Sequence, residues 1–225
     1  MAQSKVKLMM HPGTCAIVPH ILLTYVGISF SIQPVFSKSM SADFATLNPK
    51  KQVPVLIFDD NVLTENPAIV HAINHLAPDK QITGKDTLQF LRVCEWMNWL
   101  SGPLHAQVWG PFARPWRWTD DPAAEDGIRR KCRERVIERF DMIEEKLPES
   151  GWALGENFTA VDAYVFPFFR WGESRVKVDM KAKYPKWAGL VEKCWELDVV
   201  KSVVEKEEGM AKEVAEEGSD YSQIR

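Results

Sequence analysis

Three short stretches in the first third of the chain hold residue types that could handle a thiol and an amino-acid-like ligand. The first is Pro12-Gly13-Thr14-Cys15. A cysteine between a turn and a helix start lies where unpaired helix amides point, and those amides favour a thiolate. The same residue also reads as a small buried apolar side chain, and its neighbours alone leave both readings open. Ala16-Ile17-Val18 follows. The second cysteine of a dithiol pair is therefore missing, which disfavours a disulfide shuttle. The second stretch is Gln52-Val53-Pro54. A residue before proline is pushed towards extended geometry. With a cis bond there, Val53 would present its amide and carbonyl at a sheet edge, where an extended peptide could pair as an added strand. A trans bond would make the same residues a plain turn. The third is Thr64-Glu65-Asn66-Pro67, a polar helix start that attracts a carboxylate. Glu65 adds an anion for an ammonium group, so this end suits an α-amino acid. Helix capping alone is the other reading.

Further along, His105 lies on a long helix, where a lone histidine is more often structural than a ligand. Trp109, Phe112, Trp116 and Trp118 crowd one region. They could line an apolar pocket or serve interdomain or subunit packing. Arg129, Arg130, Lys131, Arg133, Glu134 and Arg135 read as a solvated helix face.

The elements that must position these residues follow from period and punctuation. Val6–Met10 is a short apolar run closed by Pro12-Gly13, a strand and turn. Ile17–Val26 has helical spacing. Ser29–Phe36 reads as a strand of edge character, because Pro34 cannot donate to a ladder. Asp43–Leu47 is a short helix. Val55–Phe58 and Val62–Leu63 flank the turn Asp59-Asp60-Asn61, and Pro67–Leu76 is a helix. The order β-α-β-α-β-β-α mixes parallel and antiparallel pairs around one sheet. Ala77–Gly84 reads as a linker, after which strand signals vanish. Phe90, Val93, Met97, Leu100 and Leu104 form one helical stripe, with a kink expected at Gly102-Pro103. Ile128, Cys132, Val136, Phe140, Ile143 and Leu147 form another. Thr159 and Asp162 are spaced as a capping box, ahead of a buried helix carrying Val161, Val165 and Phe168. Trp187, Leu190, Val191 and Cys194 mark one more. From Glu205 the sequence reads as an acidic tail, its last stretch expected to be mobile.

Composition narrows the class. Hydrophobic residues make up 45% and charged residues 26%, as in a globular protein with a real core. The net charge of −3 gives no basic field for nucleic acid or an anionic membrane. The four scattered cysteines show no metal spacing. No run is long enough for a signal peptide or a membrane span. A reducing, cytoplasmic setting is expected.

Taken in order, HPGTCAIVPHILL, NPKKQVPVL and LTENPAIV resemble the glutathione transferase family. The likeness is greatest to the bacterial beta-type enzymes, which share Pro-Gly-x-Cys and a histidine five residues on, here His20. LGENFTAVDAYVFPFFRW is similar to that family's capping motif and core helix. The resemblance covers residues 5 to about 210. It implies a thioredoxin-like α/β domain (βαβαββα) over 1–81 and an all-α domain over 86–225. It implies glutathione as co-substrate, a small hydrophobic electrophile, a homodimer and a role in detoxification, with no metal. Val53 and a cis Pro54 would hold the cysteinyl backbone of glutathione. Glu65 and Asn66 would hold its γ-glutamyl end, and Lys38 its glycyl carboxylate. Cys15, with Thr14 and His105, would act at the sulfur, while His11, Trp109, Phe112 and Trp116 would face the electrophile. One departure is Ala106, where beta-type enzymes usually carry lysine; the Gly102-Pro103 kink is another. Two alternatives remain: thiol or peroxide reduction through a Cys15 mixed disulfide, and a non-catalytic interaction module on the same fold.

Overall fold

A computed structural model describes residues 5–35 and 42–216. Lys38, Phe36 and the C-terminal stretch expected to be mobile lie outside those residues. The chain forms two compact units. One takes in the chain up to Lys85 and again from Cys194 on; the other is Asp86–Lys193.

The first unit is built on a sheet of four strands in the order β2-β1-β3-β4: β1 (Val6–Met10), β2 (Ser31–Pro34), β3 (Val55–Phe58) and β4 (Asn61–Thr64). β1 pairs parallel with β2 and antiparallel with β3, and β3 pairs antiparallel with β4. Proline thus sits on an edge strand, as its missing donor requires. β2 is shorter than the expected strand because its ladder ends where Pro34 meets Met10. Leu8 stands opposite Leu56 and Met9 opposite Val55. Alternation puts these pairs on opposite faces, and both are buried. Met9 and Val55 pack with Val35 and Phe44, the latter on α2 (Ala42–Leu47). Asp59 and Asp60 take φ of 43° and 66°. That left-handed pair is the turn geometry that suits the twist of a two-residue hairpin.

Two helices complete the expected order, α1 (Ile17–Val26) and α3 (Asn66–Leu76). α1 ends at Gly27, whose left-handed φ of 76° lets Ile28 N–H reach the Leu23 carbonyl. α1 packs against α3 and also against α10 (Asp198–Glu216). The supposed acidic tail is therefore a helix. Val200, Val203 and Val204 are buried along it, an apolar stripe hidden between charges.

The second unit is helical. α4 (Thr87–Trp99) starts at Asp86, whose carboxylate accepts the Gln89 amide at 2.9 Å. Around Gly102-Pro103 the backbone widens into a π-helix over Leu100–Trp109. Such a turn absorbs a proline without ending the helix. Val93, Met97, Leu100 and Leu104 are buried as the stripe predicts, whereas Phe90 is 41% exposed. A short helix, α5 (Gly110–Ala113), leads towards α6 (Glu125–Lys146). The basic face of α6 is not wholly solvated. Arg129 donates to the Phe112 carbonyl at 3.1 Å and Arg133 to the Val176 carbonyl at 3.0 Å. α7 (Ala160–Trp171) opens with the expected capping box. α8 (Met180–Lys183) and α9 (Pro185–Glu196) follow.

Candidate functional site

In the first unit, Cys15 is held at the mouth of α1 by its own turn, by the loop before β3 and by the start of α3. Gly13 has a φ of 72°, a left-handed value that glycine adopts without strain. The Thr14 hydroxyl donates to the His11 carbonyl at 2.7 Å and accepts the Ala16 amide at 3.3 Å. The first helical bonds then run from Ile17 N–H to Thr14 and from Val18 N–H to Cys15. Cys15 is only 7% exposed. Its thiol donates to the Val53 carbonyl at 3.9 Å, and its own carbonyl accepts from Asn66 Nδ2 at 3.1 Å. Thus Cys15, Val53 and Asn66, 51 residues apart in sequence at the extremes, meet at one place.

The Val53–Pro54 peptide bond is cis. The loop before it is shaped by buried Asn48, whose Nδ2 donates to the Gln52 carbonyl at 2.8 Å while its Oδ1 accepts the Lys50 amide at 3.2 Å. Glu65 precedes α3 with a φ of 71°. A left-handed value costs a non-glycine residue roughly 1–2 kcal/mol, so the surrounding fold enforces it. Its exposed carboxylate pairs with Lys50 Nζ at 2.6 Å, and Lys50 also donates to Thr64 Oγ1 at 2.6 Å. Asn66 is 5% exposed and its Oδ1 is enclosed without a hydrogen-bond partner among the described residues. A buried acceptor in that state retains a capacity for one more donor.

His11 is buried beside this turn, its Nδ1 at 2.8 Å from the Val35 carbonyl. The ring thus ties the end of β1 to the end of β2.

In the second unit the aromatic residues largely pack on one another. Trp109 stacks on Trp171 with centroids 4.8 Å apart, and meets Phe112 at 5.4 Å. Phe168 closes the group edge-on to Trp171 at 5.2 Å. His105 joins it, 5.9 Å from Phe168 and 6.0 Å from Trp171. Burial among these rings, and secondarily the Arg114 cation, hold its pKa down at about 4, so the imidazole is neutral at pH 7. Trp116 lies half-buried on the turn Pro115–Arg117, with its Nε1 enclosed and without a partner among the described residues. Trp118 is 57% exposed. No ring contact joins Trp116 or Trp118 to the cluster among the described residues, so four residues close in sequence divide into two pairs.

Two residues of this region escaped sequence reasoning. Lys50 was legible only as part of a Lys-Lys pair after Asn48-Pro49, a turn signal with no hint that the ammonium reaches Glu65. Glu207 was one of many acidic residues near the C-terminus. It is 4% exposed. Its Oε2 accepts the Gly13 amide at 2.9 Å, and its Oε1 lies 2.9 Å from His20 Nδ1. No sequence signal places a partner 194 residues away.

Comparison with known proteins points to one family. Residues 14–76 match the family described as glutathione S-transferase, N-terminal domain, and residues 121–198 match glutathione S-transferase, C-terminal domain. The chain is 30% identical over 181 residues to glutathione S-transferase GstA of Escherichia coli O157:H7, covering 78% of this chain and 86% of the relative. Among solved structures it is similar to a bacterial beta class glutathione S-transferase of Sphingomonas chungbukensis, with TM-score 0.78 and 27% identity over 89% of this chain and 98% of that one. It is also similar to a sphingomonad glutathione S-transferase complexed with glutathione, with TM-score 0.77 and 26% identity over 89% and 98% of the two chains.

Proposed function

Because the chain belongs to the glutathione S-transferase family, we propose that it transfers the glutathione thiolate to small hydrophobic electrophiles. The observation that carries this reading is the meeting of Cys15, Val53 and Asn66 at the start of α1. Glutathione would lie extended along residues 53–66. Val53, beside Pro54, would pair with its cysteinyl backbone. Glu65 would take the γ-glutamyl ammonium, exchanging its contact with Lys50, and Asn66 would accept a further donor at Oδ1. Lys38 is assigned to the glycyl carboxylate.

A free thiol with a pKa near about 8.5 is only a few per cent ionised at pH 7. Amides at the start of α1 and the Thr14 and Cys15 turn would favour the thiolate of the bound tripeptide. That thiolate attacks the electrophilic carbon, forms the C–S bond and expels the leaving group with its electron pair. His105 would act near the sulfur, and the electrophile would face Trp116 and the margin of the ring cluster that buries Trp109 and Phe112. A neutral His105 can accept or donate one hydrogen bond without adding charge, and His11 would line the approach from the Cys15 turn. The reading includes a homodimer, since α4 turns Leu88 and Leu91 outward at 65% and 56% exposure, and a cytoplasmic role in detoxification.

A second reading is supported by Cys15 itself, whose thiol faces the Val53 carbonyl. Here the Cys15 thiolate attacks a glutathionylated substrate, takes the glutathione sulfur into a mixed disulfide and releases the substrate thiolate. A second glutathione thiolate then resolves it as glutathione disulfide.

Retention on immobilised glutathione and conjugation to a halo-nitroarene test the first reading. It expects both, with Cys15→Ala retaining measurable conjugation. Loss of disulfide reduction alone in that variant favours the second. No retention on glutathione overturns both.

A further inference from the structure

α10 is a strongly charged helix, and Glu205 and Glu208 are exposed on it. Glu207 alone among these three turns inward, to 4% exposure. Burying a carboxylate is unfavourable unless its oxygens are matched. Both are matched here, by groups that bracket the Cys15 turn. Oε2 takes the amide of Gly13, two residues before the cysteine, and Oε1 faces His20 Nδ1 on α1, five residues after it. His20 is itself 1% exposed, and its ring lies edge-on to Phe30 at 5.9 Å. The apolar residues Val200, Val203 and Val204 would dock α10 without any carboxylate. The charge is thus surplus to docking and sits where it can hold a turn.

We propose that Glu207 is a positioning residue for Cys15. By fixing the left-handed Gly13 and the first turn of α1 together, it keeps the Cys15 thiol turned to the Val53 carbonyl. Asn66 holds the carbonyl of Cys15 from α3, and Glu207 holds the amide side of the same turn from α10. Without the carboxylate, the Gly13 amide and the His20 ring lose their partner, the turn loosens, and the thiol is free to swing outward. The assignment rests on the reading that Cys15 belongs to the glutathione site, yet its test needs no glutathione and no turnover.

The test is iodoacetamide alkylation of Cys15, followed by mass spectrometry of its peptide, in the full chain at fixed pH. Glu207→Met keeps the length of the side chain and removes both acceptors. Its Cys15 alkylation should rise about tenfold or more over the parent. Glu207→Gln, whose amide oxygen can still accept from Gly13, should return the rate to within about threefold. A folded Glu207→Met chain alkylated at the parent rate overturns the proposal, as does a glutamine variant as fast as the methionine one. If Glu207→Met does not fold, amide exchange by NMR in the unaltered protein decides. The Gly13 amide should be protected about as strongly as the amides of α1. Exchange at the rate of an exposed turn overturns the proposal.

Discussion

Two buried carboxylates, one in each unit, act in opposite ways. Asp162 opens α7 in the second unit. It is 0% exposed and accepts from the Thr159 amide at 2.7 Å, the Thr159 hydroxyl at 2.9 Å and the Ala153 amide at 2.7 Å. All its partners lie within nine residues. Glu207 in the first unit is nearly as buried, but its partners are 187 and 194 residues away. The first network can form as soon as its own segment orders. The second can form only when the last helix reaches the first. A local carboxylate therefore organises a helix, whereas a distant one couples a finished helix to the turn that precedes Cys15.

The largest effect should come from the local network. Asp162→Ala leaves two buried amides and a hydroxyl without their acceptor and removes a cap. Each unsatisfied buried donor costs about 1–3 kcal/mol, and the cap about 1 kcal/mol. We expect a loss of at least about 4 kcal/mol in urea denaturation, or no soluble folded protein. Glu207→Ala leaves one amide and one imidazole unpartnered, so about 2–3 kcal/mol is expected by the same measurement. Should Glu207→Ala prove the more damaging of the two, the contrast drawn here between local organiser and distant coupler would be reversed.

Titration sharpens the contrast within the second unit. Burial, partly offset by hydrogen bonds from Ala153, Thr159 and its own backbone amide, raises the Asp162 pKa to about 6. An acid whose folded pKa is raised contributes stability that is present below its ordinary value, near 3.8, and lost as pH climbs through about 6. His105 has the opposite sign. Its folded pKa of about 4 lies below the ordinary 6.5. Its contribution is present above 6.5 and lost as pH falls towards 4. In His105→Phe that loss disappears. Relative to this variant, the parent should lose about 1–3 kcal/mol between pH 6.5 and 4, discounted for the part of the ring that remains open to water. Parallel stability curves for the two proteins over that range would place His105 outside the buried cluster.

The same distinction decides what could be read from the sequence. The order of elements along the chain, the edge position of Pro34 and the Thr159–Asp162 box were legible because each depends on residues close in the chain. Cys15, Val53 and Asn66 could be grouped only through a family resemblance, since spacing alone left each of them two readings. The π-helix over Leu100–Trp109 was legible as a disturbance at Gly102-Pro103, but not in kind. The helix Asp198–Glu216 was missed because three buried valines are a faint stripe amid seven Asp, Glu and Lys residues in Asp198–Lys212. Lys50 and Glu207 were missed because a charged side chain with a distant partner looks like any solvated one.

The smallest expected effect concerns a feature whose location was legible and whose geometry was not. Asp59-Asp60-Asn61 was recognisable as a turn, yet nothing in those residues announces that both aspartates are left-handed, at φ of 43° and 66°. Asn61 Nδ2 buttresses the turn by donating to the Phe58 and Asp59 carbonyls at 3.3 and 3.1 Å. The second position of such a hairpin is the one that glycine favours most. Asp60 is exposed, so its replacement removes no core contact. Asp60→Gly relieves the left-handed strain of a side chain there and loosens the unfolded chain, two effects of opposite sign. The first should prevail, for a gain of about 0.5 kcal/mol in urea midpoint measurements. A loss of that size would mean that the Asp60 side chain, rather than the turn's backbone geometry, sets the register of β3 on β4.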